Sequence, residues 1–141
     1  VADLNPREST RPALDLPISF VPMADLDAEQ GIAGPGTDRP FSEVSKGYTI
    51  FRDQDVLVAK ITPCFENGKI GQAHLRQGIG VGSTEFHVVR PHADRLDPRY
   101  VLHYLRQQRV LDAGERRMTG SAGQRRVPLV FLNDLQIPSR R

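Results

Sequence analysis

The sequence predicts an α+β domain built on a mixed or antiparallel curved sheet with few helices. Three observations carry this reading. Short β-rich runs recur at residues 18–21, 48–51, 56–61, 70–75 and 84–90, separated by turn-forming Pro, Gly and Asn. Only one stretch, residues 97–113, combines apolar residues at helical spacing with end signals. The length of 141 residues, 38% of them hydrophobic, suits a single domain with a real core.

Each element has a local cause. Residues 1–17 are polar and Pro-containing and form a lead-in segment. Pro17 and Pro22 bracket the strand at residues 18–21, because proline interrupts a ladder. Residues 23–33 are expected to make a brief helical turn, and residues 34–40 (GPGTDRP) a loop. The strands at 48–51 and 56–61 are joined by a polar turn at 52–55. Asn67-Gly68 is a hairpin signal before the strand at 70–75. Residues 78–82 (GIGVG) form a Gly-rich loop, and the strand at 84–90 ends at Pro91. Asp97 can cap the main helix, Pro98 suits its first position, and Val101, Leu102, Tyr104 and Leu105 supply an apolar face. Gly114 is its expected stop. Residues 118–126 form a basic, flexible loop; residues 127–132 are apolar, and residues 135–137 are a last short strand. No internal repeat or second domain is visible, so residues 1–141 are one unit. The missing initiator Met points to a fragment or a trimmed chain.

Composition narrows the function classes. No run approaches the roughly 18 apolar residues that a membrane-crossing helix needs. The polar N-terminus is not a signal peptide, and a single Cys excludes an internal disulfide framework. A reduced, cytoplasmic location follows as the expectation. The net charge of +2 conceals an asymmetry. Residues 1–59 hold ten acids and five bases, whereas residues 60–141 hold seven acids and fourteen bases. The excess peaks in Arg106, Arg109, Arg116, Arg117, Arg125, Arg126, Arg140 and Arg141. Such polarity suits either a polyanion-binding face or an ordinary solvated surface.

No catalytic constellation emerges. His74, His87, His92 and His103 are scattered without metal-ligand spacing. Cys64 and His74 lack the orienting group and oxyanion site that a nucleophile needs. The GIGVGST stretch resembles a phosphate loop but lacks the Lys before Ser83 and Thr84. The chain therefore reads as a binding module with no enzyme activity and no cofactor of its own.

Three stretches then carry a resemblance. They are Lys46-Gly47-Tyr48-Thr49-Ile50-Phe51 with residues 55–69 (DVLVAKITPCFENGK), residues 78–89 (GIGVGSTEFHVV), and residues 118–128 (MTGSAGQRRVP). In this order the chain resembles the target recognition domain of a type I restriction-modification specificity subunit, over nearly its whole length. The resemblance implies a target-recognition-domain-like fold that reads one half of a bipartite duplex DNA target. In that family two such domains are linked by spacer helices, which dock methyltransferase subunits. Those partners use S-adenosylmethionine to methylate adenine, and a separate endonuclease subunit cleaves. This chain has one such domain and stops at Ile137-Pro138-Ser139-Arg140-Arg141, before the spacer helix. A fragment, a degenerate copy or a stand-alone domain would each look this way. The alternative reading is a half-subunit that binds methyltransferase subunits without reading sequence.

A DNA reader needs phosphate contacts for register and base-edge contacts for sequence. Lys60 and Lys69 flank a loop and can each neutralise a phosphate. Thr62 and Asn67 lie in that loop, Asn67 as an adenine reader or simply a turn residue. Gly80 and Gly82 would admit DNA close to the backbone, with Ser83 and Thr84 donating to phosphate. Glu85 can accept from cytosine or bond a nearby backbone group or Arg. In the basic loop Ser121 suits phosphate, Gln124 adenine, and Arg125 or Arg126 guanine or phosphate, with Arg117 adding to the field. Phe20, Tyr48, Phe51, Phe86 and Phe131 are expected in the core, and Tyr100 and Tyr104 as packing residues with wet tips.

Overall fold

The β-rich runs assemble into two sheets in the computed structural model, which describes residues 2–8 and 10–138. Val1, and Arg140 and Arg141 of the C-terminal basic excess, lie outside the described residues. The larger sheet holds β1 (Ala2–Leu4), β3 (Leu26–Asp27), β4 (Ile32–Ala33), β7 (Val56–Ala59), β8 (Ile70–Ala73) and β10 (Phe86–Pro91) in the order β1-β10-β7-β8-β4-β3. The smaller holds β2 (Pro17–Val21), β5 (Thr37–Pro40), β6 (Thr49–Arg52) and β9 (Ile79–Gly82) in the order β5-β2-β9-β6. Pairing is antiparallel except for β2 with β9 and β4 with β8, so both sheets are mixed.

The alternation of side chains along β7 shows how the layers form. Val56 and Val58 face a core shared with the helices, while Leu57 faces a second core between the sheets. That second core includes Val21 and Phe51 of the smaller sheet against Phe86 and Val88 of β10. Ile18, Phe41, Val44 and Val81 cover the smaller sheet's other face. Burying each such aliphatic or aromatic side chain fully contributes roughly 1.5–3 kcal/mol.

Helix α1 (Pro98–Leu105) starts as expected, with the Asp97 carboxylate accepting from the Arg99 amide at 2.8 Å and Pro98 in the first turn. It packs on β7, β8 and β10. The single helix expected over residues 97–113 is instead two, because the chain breaks at Arg106-Gln107 before α2 (Gln108–Arg116). The break comes at Gln107, whose backbone is extended (φ −64°, ψ 137°); Arg106 stays helical, and its guanidinium reaches the carbonyls of Ala28 and Glu29. Gly114 is not a stop. It lies inside α2, and a Cβ there would come within 2.5 Å of the Phe65 ring.

Four further expectations change. Only Met23–Asp25 forms a helical turn, and the rest of residues 23–33 yields β3 and β4. The second half of the 34–40 loop is the edge strand β5. The GIGVG stretch is strand β9, and its glycines serve packing. A Cβ on Gly80 would overlap the Phe51 ring, and one on Gly82 would collide with the Val21 carbonyl of the paired strand and lie 3.0 Å from the Phe86 ring. Finally, α3 (Leu129–Asp134) replaces part of the apolar run, and residues 135–137 pair with no strand. Among the described residues no helix is long and apolar enough to cross a membrane.

Candidate nucleic-acid interface

One end of the larger sheet gathers most of the residues singled out by the sequence. The C-terminal end of β7 and the N-terminal ends of β8 and β10 all emerge there. Lys60 extends β7, its amide donating to the Glu85 carbonyl at 2.9 Å and its carbonyl accepting from the Val127 amide at 2.8 Å. The Thr62 amide donates to the Arg125 carbonyl at 2.9 Å. Thr119 and Arg126 exchange backbone bonds of 3.0 and 2.9 Å. Residues 119–126 thus form a hairpin-like loop added to the end of β7. Met118 and Val127 anchor its base in the helix-side core.

The loop's tip is exposed, and a bond from the Gln124 amide to the Ser121 carbonyl at 2.9 Å closes it. Gly120 (φ +113°) and Gly123 (φ +78°) hold left-handed conformations that side chains disfavour. The segment expected to be loose is therefore fixed at its base and free only at its tip.

Charge pairing separates the candidates. Arg126 grips Glu85 through Nε at 3.0 and 2.9 Å and Nη2 at 2.8 Å, while Nη1 reaches the Gln124 carbonyl at 2.9 Å. The bond from Arg126 holds the Glu85 carboxyl below its ordinary range, against the opposing effect of partial burial. Glu85 therefore braces the loop, the Arg-bonded option of its two expected roles. Ser83 Oγ accepts from the Glu85 amide at 3.0 Å, and the Thr62 hydroxyl donates to Glu66. Arg117 turns toward α3, 3.4 Å from Asp134 and over the Phe131 ring, away from the sheet end. Arg125 makes a longer bond, 3.3 Å, to the Glu115 carbonyl.

The side chains of Lys60, Asn67, Lys69, Thr84, Ser121 and Gln124 make no hydrogen bond or ion pair among the described residues. Lys69 lies opposite Ala59, its carbonyl accepting from the Ala59 amide at 3.1 Å. Asn67 is exposed in a series of turns over residues 62–68, not in a tight hairpin, because Phe65 plugs into the core there. The arrangement offers exposed amide, hydroxyl and ammonium groups on a rigid frame.

His87 sits beneath this frame. Its Nε2 lies 2.9 Å from the Val127 carbonyl, which can only accept, so Nε2 carries the proton. Burial pushes its pKa down, which keeps the ring neutral. Among the described residues no three or more His, Cys, Asp or Glu side chains are grouped to hold a metal.

Phe51, Phe86 and Phe131 are buried as expected. Tyr48 is not: it is 44% exposed, edge-on to a half-buried Phe20. Tyr48, Arg7 and Arg11 share a groove with Lys60 and Thr84. The two arginines escaped the sequence reading because they lie in the acid-rich half; their one signal was being among its few bases.

No family model matches the chain. It is 40% identical over 139 residues to the type I restriction enzyme EcoAI specificity subunit of Escherichia coli, covering 98% of this chain and 23% of that subunit. It is 46% identical over 122 residues to the EcoEI specificity subunit of the same organism, covering 86% of this chain and 20% of that one. The chain thus spans 20–23% of the length of these curated relatives. Among solved structures, the HsdS subunit from Thermoanaerobacter tengcongensis superposes with a TM-score of 0.66 at 14% identity, over 84% of this chain and 30% of that one. A chain from a type I R-M system, solved to describe complex assembly and conformational transition, gives 0.64 at 17% identity, over 79% and 29%. These two likenesses establish a shared fold. The chain is a homologue of one segment of the type I restriction enzyme specificity subunits.

Proposed function

We propose that this chain reads one half of a bipartite duplex DNA target for a type I restriction-modification complex. In this reading it catalyses nothing itself. Partner methyltransferase subunits, which would hold S-adenosylmethionine, methylate adenine where it directs them, and an endonuclease subunit restricts. The observation that carries the proposal is the exposed tip of the 119–126 loop, held on a buried frame in a chain homologous to specificity subunits. Gln124 presents an amide suited to the adenine edge, and Arg125 a fork suited to guanine or phosphate. Lys60, Lys69, Thr84 and Ser121 serve phosphates, and Asn67 adds a base-edge contact. Thr62, Ser83, Glu85 and Arg126 act one step back, by holding the loops. Arg117 contributes only to the wider field.

Random-duplex selection with the purified chain, at low and near-physiological salt, tests this. Enrichment of a few fixed base pairs that survives the salt increase is the expected result. Uniform binding that vanishes with salt is diffuse attraction, and it would overturn the reading.

A further inference from the structure

We propose that the groove between the lead-in segment and the end of β7 seats the phosphate backbone of one strand of the duplex. The inference rests on the DNA-reading function proposed above and extends its phosphate contacts from Lys60 and Thr84 to the lead-in segment. Arg7 and Arg11 stand on one wall, and Tyr48, Thr49, Lys60 and Thr84 line the rest.

The groove is built in advance. The Asn5 amide donates to the Val88 carbonyl at 2.7 Å, and the Val88 amide returns a bond to Asn5 Oδ1 at 2.7 Å. Arg11 donates to the Ser45 carbonyl at 2.7 Å and lies over the Phe41 ring. Glu8 is the one carboxylate on the lining, and it is neutralised. Its side chain is 9% exposed, 3.0 Å from Arg52 and 3.7 Å from Arg90. Arg7 is exposed, and neither it nor the Lys60 ammonium has a partner among the described residues. The lining therefore presents uncompensated positive charge beside the hydroxyls of Thr49, Thr84 and Tyr48. That is the chemistry of a phosphodiester track.

The groove also continues the reading loop. Lys60, on its wall, holds Val127 and Glu85 through its backbone, and Thr84 adjoins Glu85, which grips Arg126. A strand entering the groove leads to the loop's base. Contacts of this kind set register and affinity equally for every sequence, whereas the loop tip sets preference.

The test is a salt titration by fluorescence anisotropy. It compares the full chain with Arg7→Ala/Lys60→Ala, using a labelled duplex of the selected sequence and a scrambled duplex. Each lost phosphate contact removes about 0.9 from the slope of log K against log salt. The double variant should bind both duplexes more weakly, by the same factor. Its affinity loss between 50 and 200 mM salt should be roughly tenfold smaller than that of the parent. Arg7→Ala alone alters a solvated side chain and should give half the change in slope without changing Tm. If the parent binds with sequence preference and Arg7→Ala changes neither affinity nor slope, the groove assignment fails and the DNA-reading function stands, whatever Lys60 contributes. A variant that loses preference between the duplexes would make the groove a base reader, which also overturns the proposal. A parent without duplex preference overturns the function and the groove together.

Discussion

Asp55 is the residue whose removal should most clearly separate a framed site from a loose one. Its side chain is 3% exposed and accepts from the Arg52 amide at 2.8 Å and from Arg90 Nε and Nη2, each at 2.8 Å. These bonds, Asp55's foremost, push the Arg90 pKa up. Removing one partner of a buried pair typically costs about 3–5 kcal/mol, because the other charge is stranded. Here Arg90 remains 21% exposed and keeps Glu8 at 3.7 Å, so Asp55→Ala should fall at the lower end, about 3 kcal/mol. Asp55→Asn, which retains acceptors for the Arg52 amide and for one Arg90 nitrogen, should cost less. Equilibrium urea unfolding at neutral pH, followed by far-ultraviolet circular dichroism, reads both. The same network clamps Glu8, so duplex affinity should fall with stability. A loss below about 1 kcal/mol for Asp55→Ala, the scale of an exposed pair, would refute the claim that this network fixes the lead-in segment.

Two further outcomes follow from packing and titration. Gly80→Ala would force a Cβ into the Phe51 ring and to 2.8 Å from Leu75 Cδ1. It should destabilise by about 1–3 kcal/mol despite alanine's lower backbone entropy, read as a fall in Tm; an unchanged Tm would contradict a glycine kept for inter-sheet packing. His87 has its pKa lowered from 6.5, chiefly by burial and further by Lys60, against the opposing bond to Val127 and the charge of Glu85. As pH falls through 6.5 the unfolded chain takes up a proton before the folded one, so stability present above that pH is lost below it. His87→Gln should flatten this dependence in melts across that range, and an identical slope in both proteins would contradict the burial argument.

Local chemistry was legible in the sequence, whereas tertiary packing was not. Asp97-Pro98 marked the start of α1, and the unbroken apolar run of β7 marked a buried strand, because caps and β-rich runs act within a few residues. The break at Gln107 was hidden, since neither Gly nor Pro marks it. Gly80, Gly82 and Gly114 read as loop or stop signals. They leave room for the Phe51 ring, the Val21 carbonyl and the Phe65 ring respectively, which only the packed structure reveals. At the candidate interface the basic, turn-rich character of residues 118–126 was legible from their Gly, Gln and Arg content. The division of labour inside it was not. Arg125 and Arg126 are neighbours with equal claims on paper, yet the Glu85 carboxylate, 41 residues away, claims Arg126 as a brace. Tyr48 was assigned to the core by residue type alone and stands at a groove instead.

The central claim is that the exposed tip of the 119–126 loop carries sequence preference. The most direct measurement is a parallel random-duplex selection on the parent chain and on Gln124→Ala/Arg125→Ala. The parent should yield a motif, and the variant should lose preference at one or two of its positions. Each lost contact should reduce discrimination by about 1–3 kcal/mol, and the remaining positions should be retained. The same motif with the same enrichment from both chains would contradict it.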